Sequence, residues 1–201
     1  MTLDRSTFSD LDQAMYAKRI ELLEDYGIVN GYGDGTFRPA DDLDWASLCA
    51  LLVKALRLPV SGGDPVFADV PPGAWYAPYV HALYELGVVE GDENGLFHPG
   101  DAVSHEEFLT VLGRTAQWLS MDYYELARHD GIYGDHLPDA EELAELFPDY
   151  ASWAREIVWL CDEVGIWSGL AQVDAKAATT REEAAFALYN LFRVTNVLPV
   201  C

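Results

Sequence analysis

A chain of 201 residues that is 50% apolar and 12% aromatic can build a core without disulfides, although 34 acidic against 12 basic residues give it a formal charge of -22. That excess repels nucleic-acid phosphate and offers anionic membranes no general attraction, so basic proteins or cations are the more compatible partners. No stretch reaches the roughly 18 apolar residues of a membrane span.

The first element follows Phe8-Ser9-Asp10. Tyr16, Ile20 and Leu23 fall at helical spacing, and Gly27 with Ile28-Val29 behind it supplies a left-handed stop over which the next apolar residue folds back. A loop comes next, Gly31-Tyr32-Gly33-Asp34-Gly35-Thr36-Phe37-Arg38-Pro39, in which Asp34-Gly35 marks a tight turn and Phe37 is the apolar plug. A second helix starts at the N-cap Asp44 and runs through Leu48, Leu51, Leu52 and Leu56.

The same order then recurs. Phe67-Ala68-Asp69 opens a helix with Tyr79, Leu83 and Leu86, closed by Gly87-Val88-Val89. The loop from Gly91 to Pro99 carries Asn94-Gly95 and Phe97, and Ser104 with Glu107 forms a capping box ahead of Phe108, Val111 and Leu112. After Phe147-Pro148-Asp149 come Ile157, Leu160 and Val164, then Gly165-Ile166-Trp167. A shortened loop follows, with Val173 in place of phenylalanine, and the box Thr180 with Glu183 precedes Ala184, Leu188, Leu191 and Phe192. Met15, Trp75 and Trp153 stand at the same distance before the three stop glycines, so the copies share one register. An acidic insertion, with Tyr123, Tyr124, His129, His136 and Asp139, separates copies two and three and is expected to add one or two short helices.

These elements predict an all-α protein with six principal helices. Repeat 1 covers 1–60, repeat 2 covers 61–119, the insertion 120–146 and repeat 3 147–201; the linker from Pro59 to Pro65 is too short to isolate a domain, so one compact body is expected. Cys49 and Cys161 lie in apolar helical runs and are expected as reduced core residues, while Cys201 is a terminal thiol. Met1-Thr2-Leu3-Asp4-Arg5 does not open a secretory signal, so the chain is expected either to stay inside the cell or to be a piece of a longer exported protein.

Phe-x-Asp, Trp75-Tyr76-Ala77, the glycine with two apolar residues behind it, the Gly31 to Pro39 loop and Thr180-Arg181-Glu182-Glu183 together resemble the S-layer homology (SLH) domain family. The resemblance covers nearly the whole chain outside the insertion. It implies a pseudo-threefold helical bundle, a three-pronged spindle in which one helix per repeat forms a central prong and grooves run between lobes. It also implies non-covalent anchoring to secondary cell-wall polysaccharide, often pyruvylated, by a monomeric module of a longer chain at a bacterial, Gram-positive-type cell surface.

Arg181 matches the family's ligand arginine, and its place at a helix start, where backbone N–H groups and the dipole favour an anion, suits a carboxylate. Trp45 and His105 occupy the same position in copies one and two: the first can stack on a sugar, the second can bind an anion mainly below the ordinary histidine pKa of about 6.5. Trp75 and Trp153 resemble the family's groove tryptophan and suit either sugar stacking or core filling beside the first helix; Asp34, with Asn94, suits either a groove or a turn.

No nucleophile elbow, phosphate loop, HExxH, paired CxxC or EF-hand pattern is present, so neither an enzyme, a cofactor nor a metal is expected; His129, Asp130, Asp135, His136 and Asp139 are better explained as an acidic loop. The alternative function is a degenerate SLH-like scaffold that has lost two ligand arginines and docks a protein through its acidic insertion or exposed aromatics.

Overall fold

The computed structural model describes residues 8–60, 65–119, 138–168 and 173–195, and among them it holds seven helices and no strand. The helices are α1 (Ala17–Asp25), α2 (Trp45–Ala55), α3 (Ala77–Glu85), α4 (His105–Trp118), α5 (Ala140–Leu146), α6 (Arg155–Glu163) and α7 (Arg181–Val194). The all-α expectation holds, and six of these are the paired helices of the three repeats. Of the insertion, residues 120–137 lie outside the described part, with Tyr123, Tyr124, His129 and His136; Cys201 lies outside it too. The remainder forms α5, begun by a capping box in which the Asp139 carboxylate accepts the N–H groups of Glu141 and Glu142 while Glu142 accepts that of Asp139.

The first helix of each repeat ends as its glycine dictates. Gly27, Gly87 and Gly165 have φ of 69°, 69° and 74°. Ile28, Val88 and Ile166 each donate back to the carbonyl five residues earlier, on Leu23, Leu83 and Cys161, which is the Schellman closure.

The Phe-x-Asp anchor has an equally physical role. The Asp10 carboxylate accepts the N–H groups of Phe37 and Arg38 at 2.8 and 2.7 Å, and Asp69 does the same for Phe97 and His98 at 2.9 and 2.7 Å. Each acid thus ties the start of its repeat to the far end of the loop. Phe37 and Phe97 are buried beside Phe8 and Phe67, with ring centroids 5.3 and 5.2 Å apart, so the loops are plugged as expected.

Second helices begin with capping of a kind the sequence does not display. Trp45 and Ala46 donate their N–H groups to Asp101 and Pro99, His105 and Glu106 to Ala177 and Ala175, and Arg181 and Glu182 to Asp41 and Pro39. Isolated bridges accompany these bonds at Asp44 with Ala102, Ser104 with Ala178, and Asp42 with Thr180. In every case the loop of another repeat supplies the acceptors.

The chain divides into two units. One comprises residues 1–102 with 179–186, the other 103–178 with 187–201. In the first, α2 packs on α3 around Ile20, Leu23, Leu48, Leu52 and Leu83, all fully buried. Each such side chain contributes roughly 1.5–3 kcal/mol of burial free energy. Cys49 is free and buried here. In the second, α4 packs on α6, which also carries α5, and Phe108, Leu112, Trp159, Leu160 and Phe192 form the core. Gly113 lets the two helices close, since a Cβ there would collide with Ile157. Cys161 is free and fully buried in this unit, and burial pushes its thiol up to about 12.

One core position is imperfect. Thr179 stands where repeats 1 and 2 have Leu43 and Val103; all three are buried, and the Thr179 hydroxyl has no hydrogen-bond partner among the described residues. An orphaned buried hydroxyl costs about 1–3 kcal/mol, so Thr179→Val, which keeps the shape and removes the oxygen, is expected to raise the urea midpoint by an amount equivalent to about 1 kcal/mol. A lowered midpoint would mean that the hydroxyl is satisfied after all.

The two described loops differ in what buckles them. In repeat 1 Arg38 bonds Asp34 at 3.0 Å; in repeat 2 His98 bonds Asp92 at 3.1 Å through Nε2 and faces Asp101 at 3.9 Å through Nδ1. The Asp92 bond holds His98 above its ordinary pKa, while the Leu96 N–H and His98 hold Asp92 well below the usual carboxylate range. A raised histidine stabilises fully below its unfolded value of about 6.5 and loses that stabilisation as pH rises through the folded value; a depressed aspartate stabilises above about 3.9 and loses it on acidification. Amide exchange at Leu96 is therefore expected to be slowest, relative to the intrinsic rate, between about pH 4 and 6.5, with Thr36 in repeat 1 showing no loss toward pH 8. His98→Arg should remove the alkaline limb, and its survival in that variant would contradict the pairing.

Candidate functional site: a cationic pocket in the first unit

In the first unit the loop of repeat 1, helix α2, Trp75 and the start of α7 enclose a pocket of about 250 Å³. Its floor is apolar, from Ile28, Val29, Leu43 and Leu51, and its polar chemistry comes from Asn30, Ser47, Lys54 and Arg181. No acidic residue among the described ones lines it. In a chain with 34 acids and 12 basic residues, a described lining with two cations and no carboxylate is a strong local inversion of charge.

Arg181 is fixed by neutral groups. Nε–H donates to the Phe37 carbonyl at 2.9 Å and one Nη2–H makes a longer bond of 3.4 Å to that of Asn30. The guanidinium carbon lies 4.6 Å from the centroid of Phe37 and 5.0 Å from that of Tyr32. No carboxylate among the described residues forms an ion pair with it, and burial pulls its pKa down from the ordinary arginine value. The Nη1 donors and the second Nη2 donor keep no protein partner among the described residues. A planar fork of open N–H groups on a guanidinium with no direct ion pair among the described residues is suited to a carboxylate.

The expectation of free backbone N–H groups at this helix start is corrected. Those of Arg181 and Glu182 bond Asp41 and Pro39 at 2.9 and 3.0 Å, and that of Glu183 reaches the Thr180 hydroxyl at 3.4 Å. The guanidinium, not the helix end, is what offers open donors here.

Trp75 is 61% exposed and lines the same pocket, so it does not fill the core. Trp153 is similarly exposed, at 58%, and belongs to the second unit. Trp45 is half-buried with its ring 5.8 Å from that of Phe97, in edge contact. His105 is buried: Nδ1 sits 2.8 Å from the Asp174 carbonyl and the ring packs edge-on against Trp167, so it does not face solvent as an anion site requires. Asp34 is outside the pocket lining. It accepts from the Thr36 N–H and hydroxyl and from Arg38, bonds that pull its pKa down to about 2, and it acts as a turn former.

Lys54 and Tyr32 escaped sequence reasoning. Lys54 lies on the same face of α2 as Ser47, two turns on, but a lysine in a last helical turn reads first as a dipole partner. Tyr32 sits in a loop whose turn residues draw the attention.

The family model described as "S-layer homology domain" matches residues 7–44 and 66–109. Its two segments are the first two copies of the anchor, helix, glycine stop and plugged loop. Similarity to relatives extends through the third copy: Exoglucanase XynX of Acetivibrio thermocellus is 29% identical over 96% of this chain, and S-layer protein EA1 of Bacillus anthracis is 28% identical over 89%. Over the two segments that the family model matches, the chain is identified as a member of the S-layer homology domain family. As an SLH module it matches only part of these proteins, covering 17% of the exoglucanase and 19% of EA1. Amylopullulanase of Thermoanaerobacterium thermosulfurigenes, 27% identical over 92% of the chain, is covered over 9% of its length. SLH sequence is thus shared between S-layer proteins and proteins named as enzymes, and the activities in those names are theirs. No helix among the described residues is long and apolar enough to cross a membrane.

Proposed function

We propose that this chain is a non-catalytic attachment module, its three repeats acting together, that holds secondary cell-wall polysaccharide non-covalently at a bacterial wall surface. The pocket of the first unit takes a sugar bearing a carboxylate, such as a pyruvate ketal. The observation that carries this reading is the Arg181 guanidinium, anchored by carbonyls and ring faces and without a direct ion pair among the described residues, beside an exposed tryptophan in a pocket whose described lining holds no acid. A ketal carboxylate pairs with the open N–H fork, Lys54 adds a second positive charge, and the Trp75 face stacks on the sugar ring. Membership of the family and similarity to S-layer protein EA1 support the same conclusion.

The net charge opposes an anionic polymer at long range. Salt screens that repulsion over about 8–10 Å, so a short-range pocket wins where a distant field does not. A protein-docking scaffold is the second reading, favoured by the burial of His105, which removes one of the three arginine-equivalent positions from solvent. Co-sedimentation separates them. The purified chain is expected to pellet with walls that carry the polymer and to stay in solution with walls stripped of it; pelleting that ignores the stripping would support the scaffold instead.

A further inference from the structure

We infer that Tyr32 is a positioning residue for the Arg181 guanidinium, and that the Asp34–Arg38 ion pair holds Tyr32 in that role. The inference rests on the pocket described above and adds what sets its cation in place. Two guanidinium groups lie over one ring, Arg38 at 3.9 Å and Arg181 at 5.0 Å from the Tyr32 centroid. Like charges converging on one ring repel unless one is neutralised. Asp34 neutralises Arg38, at 3.0 Å, and Thr36 steadies it through a 3.3 Å bond to Nε. No carboxylate among the described residues pairs directly with Arg181, on which Asp41 and Asp44 act only through space. The ring therefore meets one ion-paired cation, which packs it, and one cation held without a direct ion pair, which it steadies.

The backbone roots the ring as well. Tyr32 donates its N–H to the Thr36 carbonyl at 2.8 Å and accepts from Gly35 at 3.0 Å, so the turn closes on itself at the residue that bears the ring. Gly35, with φ of 80°, permits that closure. The Asp34 carboxylate, bonded to Thr36 and Arg38, acts on Arg181 through Arg38 and Tyr32.

Repeat 2 lacks the device. Its residue at the Tyr32 position is Asp92, which bonds His98 directly, so that loop has an acid where repeat 1 lends a ring. Tyr32 is thus particular to the repeat whose loop meets the arginine.

The test uses the full 201-residue chain and a pyruvate-ketal monosaccharide as probe, read by calorimetry and by solvent exchange of the Arg181 Nε–H in NMR. Tyr32→Phe, which keeps the ring, is expected to bind within about twofold of the wild type. Tyr32→Leu is expected to bind about fivefold more weakly and to exchange the Nε–H faster, at an unchanged unfolding midpoint. Arg38→Gln and Asp34→Asn should follow Tyr32→Leu in direction, with smaller changes. Equal binding and equal exchange in Tyr32→Leu and Tyr32→Phe would overturn the inference. If Arg181→Ala leaves probe binding intact, the pocket reading fails by itself, and Nε–H exchange in the Tyr32 variants still decides whether the ring positions the guanidinium.

Discussion

Gly91→Val is expected to lower the urea midpoint by an amount equivalent to about 3 kcal/mol, and Gly33→Ala to leave it almost unchanged. The difference is one of room. A Cβ on Gly91 would collide with the Phe67 ring and come within 2.9 Å of the Leu96 carbonyl, whereas nothing lies within 4 Å of one on Gly33. Phe67 cannot retreat, because it is 5% exposed and packed against both Tyr84 and Phe97 at about 5.3 and 5.2 Å. The Leu96 carbonyl is also fixed, since it accepts the Asp92 N–H that closes the turn. Gly31 has the same relation to Phe8 and the Thr36 carbonyl, so Gly31→Val is the matching test in repeat 1. Equal midpoints for Gly91→Val and Gly33→Ala would mean that the loop does not pack on its anchor phenylalanine as described.

Arg181→Ala is expected to weaken binding of ketal-bearing polysaccharide by roughly tenfold to a hundredfold, because charge-assisted hydrogen bonds contribute about 1.5–3 kcal/mol. Some stability goes too, since the carbonyls of Phe37 and Asn30 lose their donor. The two effects separate when affinity is measured well below the melting temperature. Arg181→Lys keeps the charge but not the fork, cannot hold both carbonyls and face a carboxylate at once, and should fall between wild type and alanine. Lys54→Ala should cost less, roughly twofold to fivefold, because Lys54 is exposed and its charge is screened. Wild-type affinity in Arg181→Ala would remove the basis of the site.

The helical frame was legible because its signals are local. A glycine stop needs only its own φ and the two residues behind it, so Gly27, Gly87 and Gly165 could be read one at a time, and the boxes Ser104 with Glu107 and Thr180 with Glu183 span four residues each. The third box, Asp139 with Glu142, was hidden in an acidic run where any carboxylate looks like surface charge. The Phe-x-Asp anchor was visible as a pattern but not as a mechanism, since Asp10 and Asp69 act on backbone N–H groups at the other end of the repeat.

The site was less legible because it is made by distant pieces. Arg181 bonds carbonyls 144 and 151 positions earlier, and no local rule announces that meeting. The helix start misled for the same reason: counted along the chain its N–H groups are free, and only the fold shows Asp41 and Pro39 accepting them. His105 looked like a titrating anion ligand by its equivalence to Arg181, yet its ring is short enough to turn inward to the Asp174 carbonyl, where a guanidinium lies at the pocket instead.

On the proposed function, Arg181 in the first unit's pocket recognises a carboxylate on a wall sugar. This is tested by calorimetric titration of the chain with wall polysaccharide before and after chemical removal of its pyruvate ketals. Saturable binding to the intact polymer that is lost on the ketal-free polymer is the expected result; undiminished affinity after the ketals are gone would contradict it.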